Sequence, residues 1–471
     1  MKKQSIVKSL AAVTFSNITT ILSGVVVSML LPKILSVTDY GWYKTFSLYT
    51  SYAGFFSLGI IDGIVLKHGG DDYTDLNRPL FRNYFRWYSL LHLFFMLLLF
   101  VVSIFVKDNN YRFICIILGI YLVLNNFTGY FQQVSQITQR FKEYSMRKII
   151  NSGLKIINVG LLFAWRLVGF DPTYRIYLAF FILSQIGITG WYFITYRGII
   201  FGESIPLFQT KKQIITLSIT GFPLLFANLC STLILSLDSQ FVSVLFDTET
   251  YAKYAFAYNM LSLVTVAMSA ISTVLYPSLK RTTPETMKKT FESLMGIISV
   301  VVYAAIIAFF PLCLFVEWFL PKYTESLPIF RIVFPGLALS SSITVVMHNY
   351  YKALGKNNVY FRKSIVVLLV SAAANGIAYL AFRSTVSISI ASIVTMLFWY
   401  LFADQLFVKE YGYERKRNLS YVVIMLIAFY LCSLINNHYI GFFCYASCYV
   451  LITYIIHKKT VFVDLKQIIA K

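Results

Sequence analysis

About fourteen stretches of this chain are apolar and long enough to cross a bilayer, and the Lys and Arg residues between them alternate between dense and sparse clusters from end to end. A membrane-crossing helix needs about 20 mostly apolar residues, because its backbone polar groups must be satisfied inside the segment. The stretches run roughly over 10–31, 44–66, 83–106, 112–134, 148–168, 174–196, 214–245, 254–276, 292–316, 327–351, 364–382, 386–407, 419–436 and 440–457. The even-numbered connections and both ends hold thirty of the 41 Lys and Arg residues, including Lys67, Arg78, Arg82, Arg86, Arg140, Lys142, Arg147, Lys148, Lys211 and Lys212. The odd-numbered connections and the span ends beside them hold ten, and Lys155 alone falls inside a span away from its ends. The positive-inside rule turns this alternation into a topology with both termini and every dense connection in the cytoplasm.

The expected class is therefore an all-α integral membrane protein with about fourteen transmembrane helices. Of its 471 residues only 13% are charged, against roughly a quarter in a soluble domain. The net charge of +21 is loop charge facing anionic lipid, so membrane lipid is the expected partner and nucleic acid is not. The connections are too short to hold a soluble domain, which places the function within the membrane. The opening apolar run is too long for a cleaved signal peptide, and no small-residue cleavage site precedes Pro32. All six cysteines fall inside spans without metal-ligand spacing, as small apolar fillers would; no metal or other cofactor is expected.

The chain reads as duplicated. Tyr40-Gly41-Trp42-Tyr43, entering the second span, matches Tyr251-Ala252-Lys253-Tyr254, entering the eighth. The run 139–148 after the fourth span matches 354–363 after the tenth. These correspondences predict two pseudo-symmetric six-helix lobes over 1–212 and 213–408, with two appended C-terminal helices over 409–471. An even helix number makes the repeat parallel, about an axis along the membrane normal.

No catalytic signature is present: no phosphate-binding GxxxxGK[ST], no HExxH, no nucleophile elbow. The chain is not read as an enzyme. Polar stripes are more informative. Asn125, Gly129, Gln132 and Gln136 share one face of the fourth span, and Arg140 extends it. Asn259, Ser262, Ser269, Thr273 and Tyr276 share a face of the eighth; Ser341, Thr344 and His348 one of the tenth; Asn17, Thr20 and Gly24 one of the first. Such faces turn to protein or water, either bonding helices together or lining a wet cavity. Lys155 at membrane depth costs about 2.5–3.5 kcal/mol on insertion scales; it either snorkels to the interface or aims at an anionic headgroup. Asp62, between Gly59 and Gly63, and Asp238 are the acids that could pair with Lys155 or bind a coupling ion. Arg82 and Arg86, one turn apart, either attract a phosphate or are ordinary positive-inside charge. Pro223, Pro311 and Pro335 are expected to kink their spans.

Leu31-Pro32-Lys33-Ile34-Leu35-Ser36, Asp39-Tyr40-Gly41-Trp42-Tyr43, Leu58-Gly59 with Asp62-Gly63, and Gly221-Phe222-Pro223 with Asp238 resemble the bacterial polysaccharide transporters. These are the Wzx-type O-antigen and capsule repeat-unit flippases of the multidrug/oligosaccharidyl-lipid/polysaccharide (MOP) exporter superfamily. The resemblance implies a two-lobed, V-shaped transporter with a central cationic cavity. It would move a polyprenyl-pyrophosphate-linked glycan from the cytoplasmic to the outer leaflet of a bacterial inner membrane by alternating access, with a polysaccharide polymerase in the same membrane as an expected partner. In that frame Lys155 and the mouth arginines (Arg82, Arg86, Arg140) meet the pyrophosphate, while Asn17, Gln132, Gln136, Asn259 and His348 contact sugars. This chain departs from the pattern in holding a single intramembrane cation.

Two other classes stay open. One is an ion-coupled multidrug exporter or lipid II flippase; the first span lacks the acid of the former, and the spans lack the rich arginine set of the latter. The other is a membrane glycan polymerase, against which the short external connections count.

Overall fold

The computed structural model describes residues 2–280 and 282–457, with the side chains of 2–11 and of part of 263–280 outside the described set. Ser269, Thr273 and Tyr276 of the expected stripe therefore lie outside the described side chains. Among the described residues every regular element is helical, with no strand. Ten helices are long and apolar enough to cross a membrane, or up to twelve if each of two bent pairs is one span. This is fewer than the fourteen expected: α6 (Phe141–Leu167), which carries Lys155 within it, and the helix Thr248–Lys280 are not among them.

The chain forms two compact units, Met1–Leu229 and Cys230–Lys471. The first holds α1 (Lys2–Ile34), α2 (Val37–Thr50), α3 (Ile60–His68), α4 (Arg78–Phe105), α5 (Asn109–Ile137), α6, α7 (Tyr174–Thr195) and the first half of α8 (Leu207–Leu245). Local signals set the helix starts. Ser36 accepts from the Asp39 amide (3.0 Å), Asn77 from Leu80 (3.1 Å), and Asp108 from Asn110 and Tyr111 (2.8 and 2.9 Å). Its core is aromatic: Phe81, Tyr84, Phe85 and Tyr88 of α4 and Phe127, Tyr130 and Phe131 of α5 pack against Tyr192 of α7 and Tyr196 just beyond it. Phe131 stacks on both of these tyrosines, with centroids 5.8 and 5.6 Å apart.

The second span is not the continuous helix expected over 44–66. Two consecutive left-handed residues, Leu58 (φ 47°) and Gly59 (φ 78°), end a short 3-10 turn and turn the chain by 54° into α3. Here the Gly59/Gly63 pair meets Gly221 of α8 backbone to backbone. A Cβ on Gly63 would stand 2.1 Å from the Leu217 carbonyl oxygen, and one on Gly221 2.1 Å from that of Gly59. The start of α8 is pinned to α4 as well. Asn83 donates to the Ile205 carbonyl (2.6 Å) and Trp87 Nε1 to that of Leu207 (3.2 Å).

The second unit holds the rest of α8 with α9 (Thr248–Lys280), α10 (Pro284–Ile306), α11 (Phe309–Phe319), α12 (Leu327–Val333), α13 (Gly336–Ser341), α14 (His348–Ala353), α15 (Asn357–Phe382), α16 (Thr385–Tyr411), α17 (Arg415–Ser433) and α18 (His438–His457). The expected span 327–351 bends by 52° at Pro335, and a π-helical turn, Ser342–Met347, follows. Pro311 sits in the first turn of α11, just after a break in the ninth span, whereas α8 runs through Pro223 unbroken. The two last helices belong to this unit: Tyr303 of α10 donates to the Val422 carbonyl (2.9 Å), and Tyr445 of α18 donates to the Tyr303 carbonyl (2.9 Å). Asp404, fully buried, is held by Arg415 (2.7 Å) where α16 meets α17.

Candidate functional site

The break between α2 and α3 leaves room beside α5, and a cavity of about 360 Å³ occupies it. Six carboxamides line it: Asn125, Asn126, Gln132 and Gln133 of α5, Asn151 of α6 and Gln185 of α7; Ser57, Thr128 and Asp62 add a hydroxyl pair and one carboxylate. Several of these groups are fixed. The Asn126 amide donates to the Ala53 and Leu122 carbonyls (3.0 and 2.9 Å), tying the 3-10 turn to α5. Gln185 donates to Asn151 (3.2 Å), and Thr128 pairs with Thr189 of α7 (2.9 Å). Asp62 is the lone ionisable group in the lining. Among the described residues no hydrogen bond or ion pair from another residue reaches its carboxylate. A second cavity, of about 310 Å³, shares Gln133 and runs past Gln136 and Gln139 to Gly69 and Gly70. The α5 stripe thus continues to the Lys- and Arg-rich end of the unit, where the Gly70 amide donates to the Ile137 carbonyl (3.1 Å).

The sequence-predicted residues divide. Gln132 and Asp62 line the main cavity and Gln136 the second. Asn17 accepts a hydrogen bond from Lys148 of α6 (2.6 Å), and Ser152 donates to Thr20 (3.0 Å). These two bonds lock α1 and α6 in parallel register, 131 and 132 residues apart, which brings half-buried Lys155 level with Gly24. Among the described residues Lys155 makes no hydrogen bond or ion pair, with Asp62 or any other group. Arg82 is spent on backbone: its guanidinium donates to the Gly198 carbonyl (2.9 and 3.1 Å) and to that of Glu203, and it packs under Gly202. Arg86 donates to the Ser204 hydroxyl.

Arg140 lies outside both cavities. It stacks on Tyr73 and Tyr196, 4.3 and 5.1 Å from their ring centres, and pairs with Glu143. Glu143 also meets Arg147 (3.4 Å), which is nearly fully buried against Trp191 and Tyr192 (5.0 and 4.4 Å) and donates to Thr195 (2.5 Å). This network joins α6 to the end of α7. We expect Arg147→Lys to lose about 1–2 kcal/mol, because an ammonium ion can neither stack flat nor fork to Thr195 and Glu143. Thermal unfolding of the purified protein reads that loss, and an unchanged midpoint would contradict it.

The remaining predicted residues lie in the second unit. Asp238 is buried and accepts from the hydroxyls of Tyr254 (2.8 Å) and Tyr258 and from the Ser239 amide (2.7 Å). These three partners are all neutral. His348 is buried face to face with Tyr360 (4.4 Å, 11°), a packed ring rather than one presented to a cavity. Asn259 is half-buried in α9. Sequence reasoning missed Asn126, Gln133, Asn151, Gln185 and Lys148. The adjacent Asn125-Asn126 and Gln132-Gln133 pairs were signals, but Asn151 and Gln185 stand alone on their helices.

Carboxamides present donors and acceptors in pairs, which matches hydroxyl groups and gives no net charge. The main cavity, lined by six carboxamides and one carboxylate with no cation, is therefore suited to a polyhydroxyl ligand. Ten or more long apolar helices define a multi-pass membrane protein, and the backbone agrees. The chain is similar to the lipid II flippase MurJ in an inward closed conformation (TM-score 0.70, 13% identity, covering 97% of this chain and 100% of that one). It is also similar to an inward-facing multidrug resistance MATE family transporter of the MOP superfamily (TM-score 0.57, 12% identity, 84% and 95%). A third likeness is to the Vibrio cholerae MATE transporter VcmN (TM-score 0.56, 16% identity, 88% and 98%). At these identities the likeness is one of fold. None of the curated proteins matches the sequence. The chain belongs to the polysaccharide biosynthesis protein family, which it matches over residues 6–283.

Proposed function

We propose that this protein is a flippase that carries a polyprenyl-pyrophosphate-linked oligosaccharide repeat unit from the cytoplasmic to the outer leaflet of a bacterial inner membrane, for O-antigen, capsule or exopolysaccharide synthesis. The observation that carries the reading is the carboxamide-lined cavity at membrane depth in a chain of the polysaccharide biosynthesis family. Amides suit sugar hydroxyls, and the α5 stripe offers them a continuous path. On this reading both termini are cytoplasmic, Lys155 meets the pyrophosphate, and the lipid chain stays in the bilayer. Asp62 and Asp238 are the acids available for ion coupling. The protein is a transporter and not an enzyme, and a polymerase in the same membrane is its natural neighbour.

Deleting the gene and extracting the lipids tests this. We expect a complete lipid-linked repeat unit to accumulate on the cytoplasmic leaflet, restored to the outer leaflet by the wild-type gene. Accumulated lipid II would replace the reading with a peptidoglycan flippase. A single repeat unit trapped on the outer side would mean failed polymerisation and an enzyme.

A further inference from the structure

At the Lys- and Arg-rich end of the first unit a separate cavity of about 370 Å³ opens between the last turn of α3 and the first three turns of α8. Lys67 enters from α3; Gln209, Lys212, Gln213 and Thr216 enter from α8, with Leu217 at the base. The walls are rigid. The Gly63–Leu217 crossing presses the two helices together, and Asn83 and Trp87 hold the start of α8 on α4. Neither cation is spent. Lys67 reaches only the Tyr84 hydroxyl, at 3.4 Å, and among the described residues the Lys212 ammonium has no hydrogen-bond or ion-pair partner. Both are exposed.

The rest of α8 shows what such a pocket would hold. At 100° per residue, its buried side carries Thr210, Ile214, Leu217 and Gly221, and the pocket residues occupy the adjoining polar side. The opposite face presents Phe208, Ile215 and Ile219, which are 81%, 48% and 68% exposed. Lys212 stands at the border of that apolar face. Two ammonium groups and two amides converge on a space beside an apolar track, the pattern that suits an anionic oxygen-rich head attached to a long hydrocarbon chain. Positive-inside charge by itself requires no cavity and no convergence of two helices.

We infer that the Lys67–Lys212 pocket binds the phosphate or pyrophosphate head of a lipid whose chain lies along Phe208, Ile215 and Ile219. Resting on the function proposed above, this makes the pocket the place where the phosphate end of the lipid-linked glycan first docks, at the Lys- and Arg-rich end and ahead of Lys155, apart from the carboxamide cavity that takes the sugars. The division follows from charge: the carboxamide cavity offers no cation and its carboxylate repels phosphate, whereas this pocket offers two cations and no acid.

The test is lipid binding by the full chain in nanodiscs, read by native mass spectrometry, with sugar-free polyprenyl pyrophosphate as the probe and inorganic pyrophosphate and phosphatidylglycerol as competitors. We expect Lys67→Gln/Lys212→Gln to weaken polyprenyl pyrophosphate binding at least tenfold. Lys67→Arg/Lys212→Arg should retain it, and Lys211→Gln, one residue outside the pocket, should leave it unchanged. Inorganic pyrophosphate should compete at least tenfold more weakly than the lipid. Undiminished binding by the glutamine pair, an equal loss in Lys211→Gln, or equal binding of inorganic pyrophosphate would each overturn the inference. So would phosphatidylglycerol displacing the probe at equal concentration, since the pocket would then be a general lipid contact. Because the assay reads binding without transport, its failure is distinct from failure of the flippase reading, which the gene deletion decides.

Discussion

Gly221→Ala is expected to strip the membrane of folded protein. In an ordinary helix interior this exchange stabilises by about 1 kcal/mol. Here the new Cβ would lie 2.1 Å from the Gly59 carbonyl oxygen and 2.5 Å from the Gly63 amide nitrogen. Both neighbours are backbone, and Gly59 is already committed to a left-handed conformation at φ 78°, so neither can rotate away as a side chain would. The helices must separate, and overpacking costs about 1–3 kcal/mol and occasionally more; with two rigid backbone contacts this close the cost lies at the upper end and outweighs the propensity gain. Separation would also open the walls of the Lys67–Lys212 pocket and release the α2–α3 bend that shapes the carboxamide cavity. Gly129→Ala is the control, because nothing lies within 4 Å of its Cβ position. Fluorescence-detected size exclusion should show a monodisperse peak for Gly129→Ala and none for Gly221→Ala; equal peaks with equal thermal midpoints would refute the account.

Lys155→Ala is expected to abolish surface polysaccharide while the protein still inserts and accumulates. The argument is positional. The Asn17–Lys148 and Thr20–Ser152 bonds fix the register of α1 against α6, and one turn further the register sets Lys155 against Gly24, where a missing side chain leaves open space. A cation at that depth costs about 2.5–3.5 kcal/mol on insertion scales and no ion pair offsets it among the described residues. Removing it should therefore leave stability unchanged or improved, so a loss of function cannot be assigned to misfolding. Lys155→Arg keeps the charge and should retain part of the activity. Full surface polysaccharide from Lys155→Ala would assign the residue to snorkelling and remove it from the mechanism.

How much of this was legible beforehand differs residue by residue. The Gly59–Gly63 spacing signalled a close helix contact, and the structure supplies its partner, Gly221, which lies far away in sequence. The α5 stripe was readable because helical periodicity puts Asn125, Gly129, Gln132 and Gln136 on one face whatever surrounds it. Asn151 and Gln185 were not readable, since one amide on an apolar helix has no periodic neighbour to mark it. Arg82 looked like Arg86 and every other loop cation; only the course of 198–203 around its guanidinium distinguishes it.

What the sequence determined by itself is what local composition can determine: an all-helical, multi-pass membrane protein with charge-dense and charge-sparse connections in alternation. Hydrocarbon admits only helices or closed barrels, and runs of about 20 apolar residues leave the helix as the answer. Tertiary structure alone decided where those helices break, which polar faces meet, and which charges stay unspent. Leu58 and Gly59 turn the second span because α8 presses its backbone against them. The cavity gathers amides from three helices because Asn151 and Gln185 arrive from α6 and α7. Those outcomes depend on contacts between residues far apart in the chain, which no local pattern encodes.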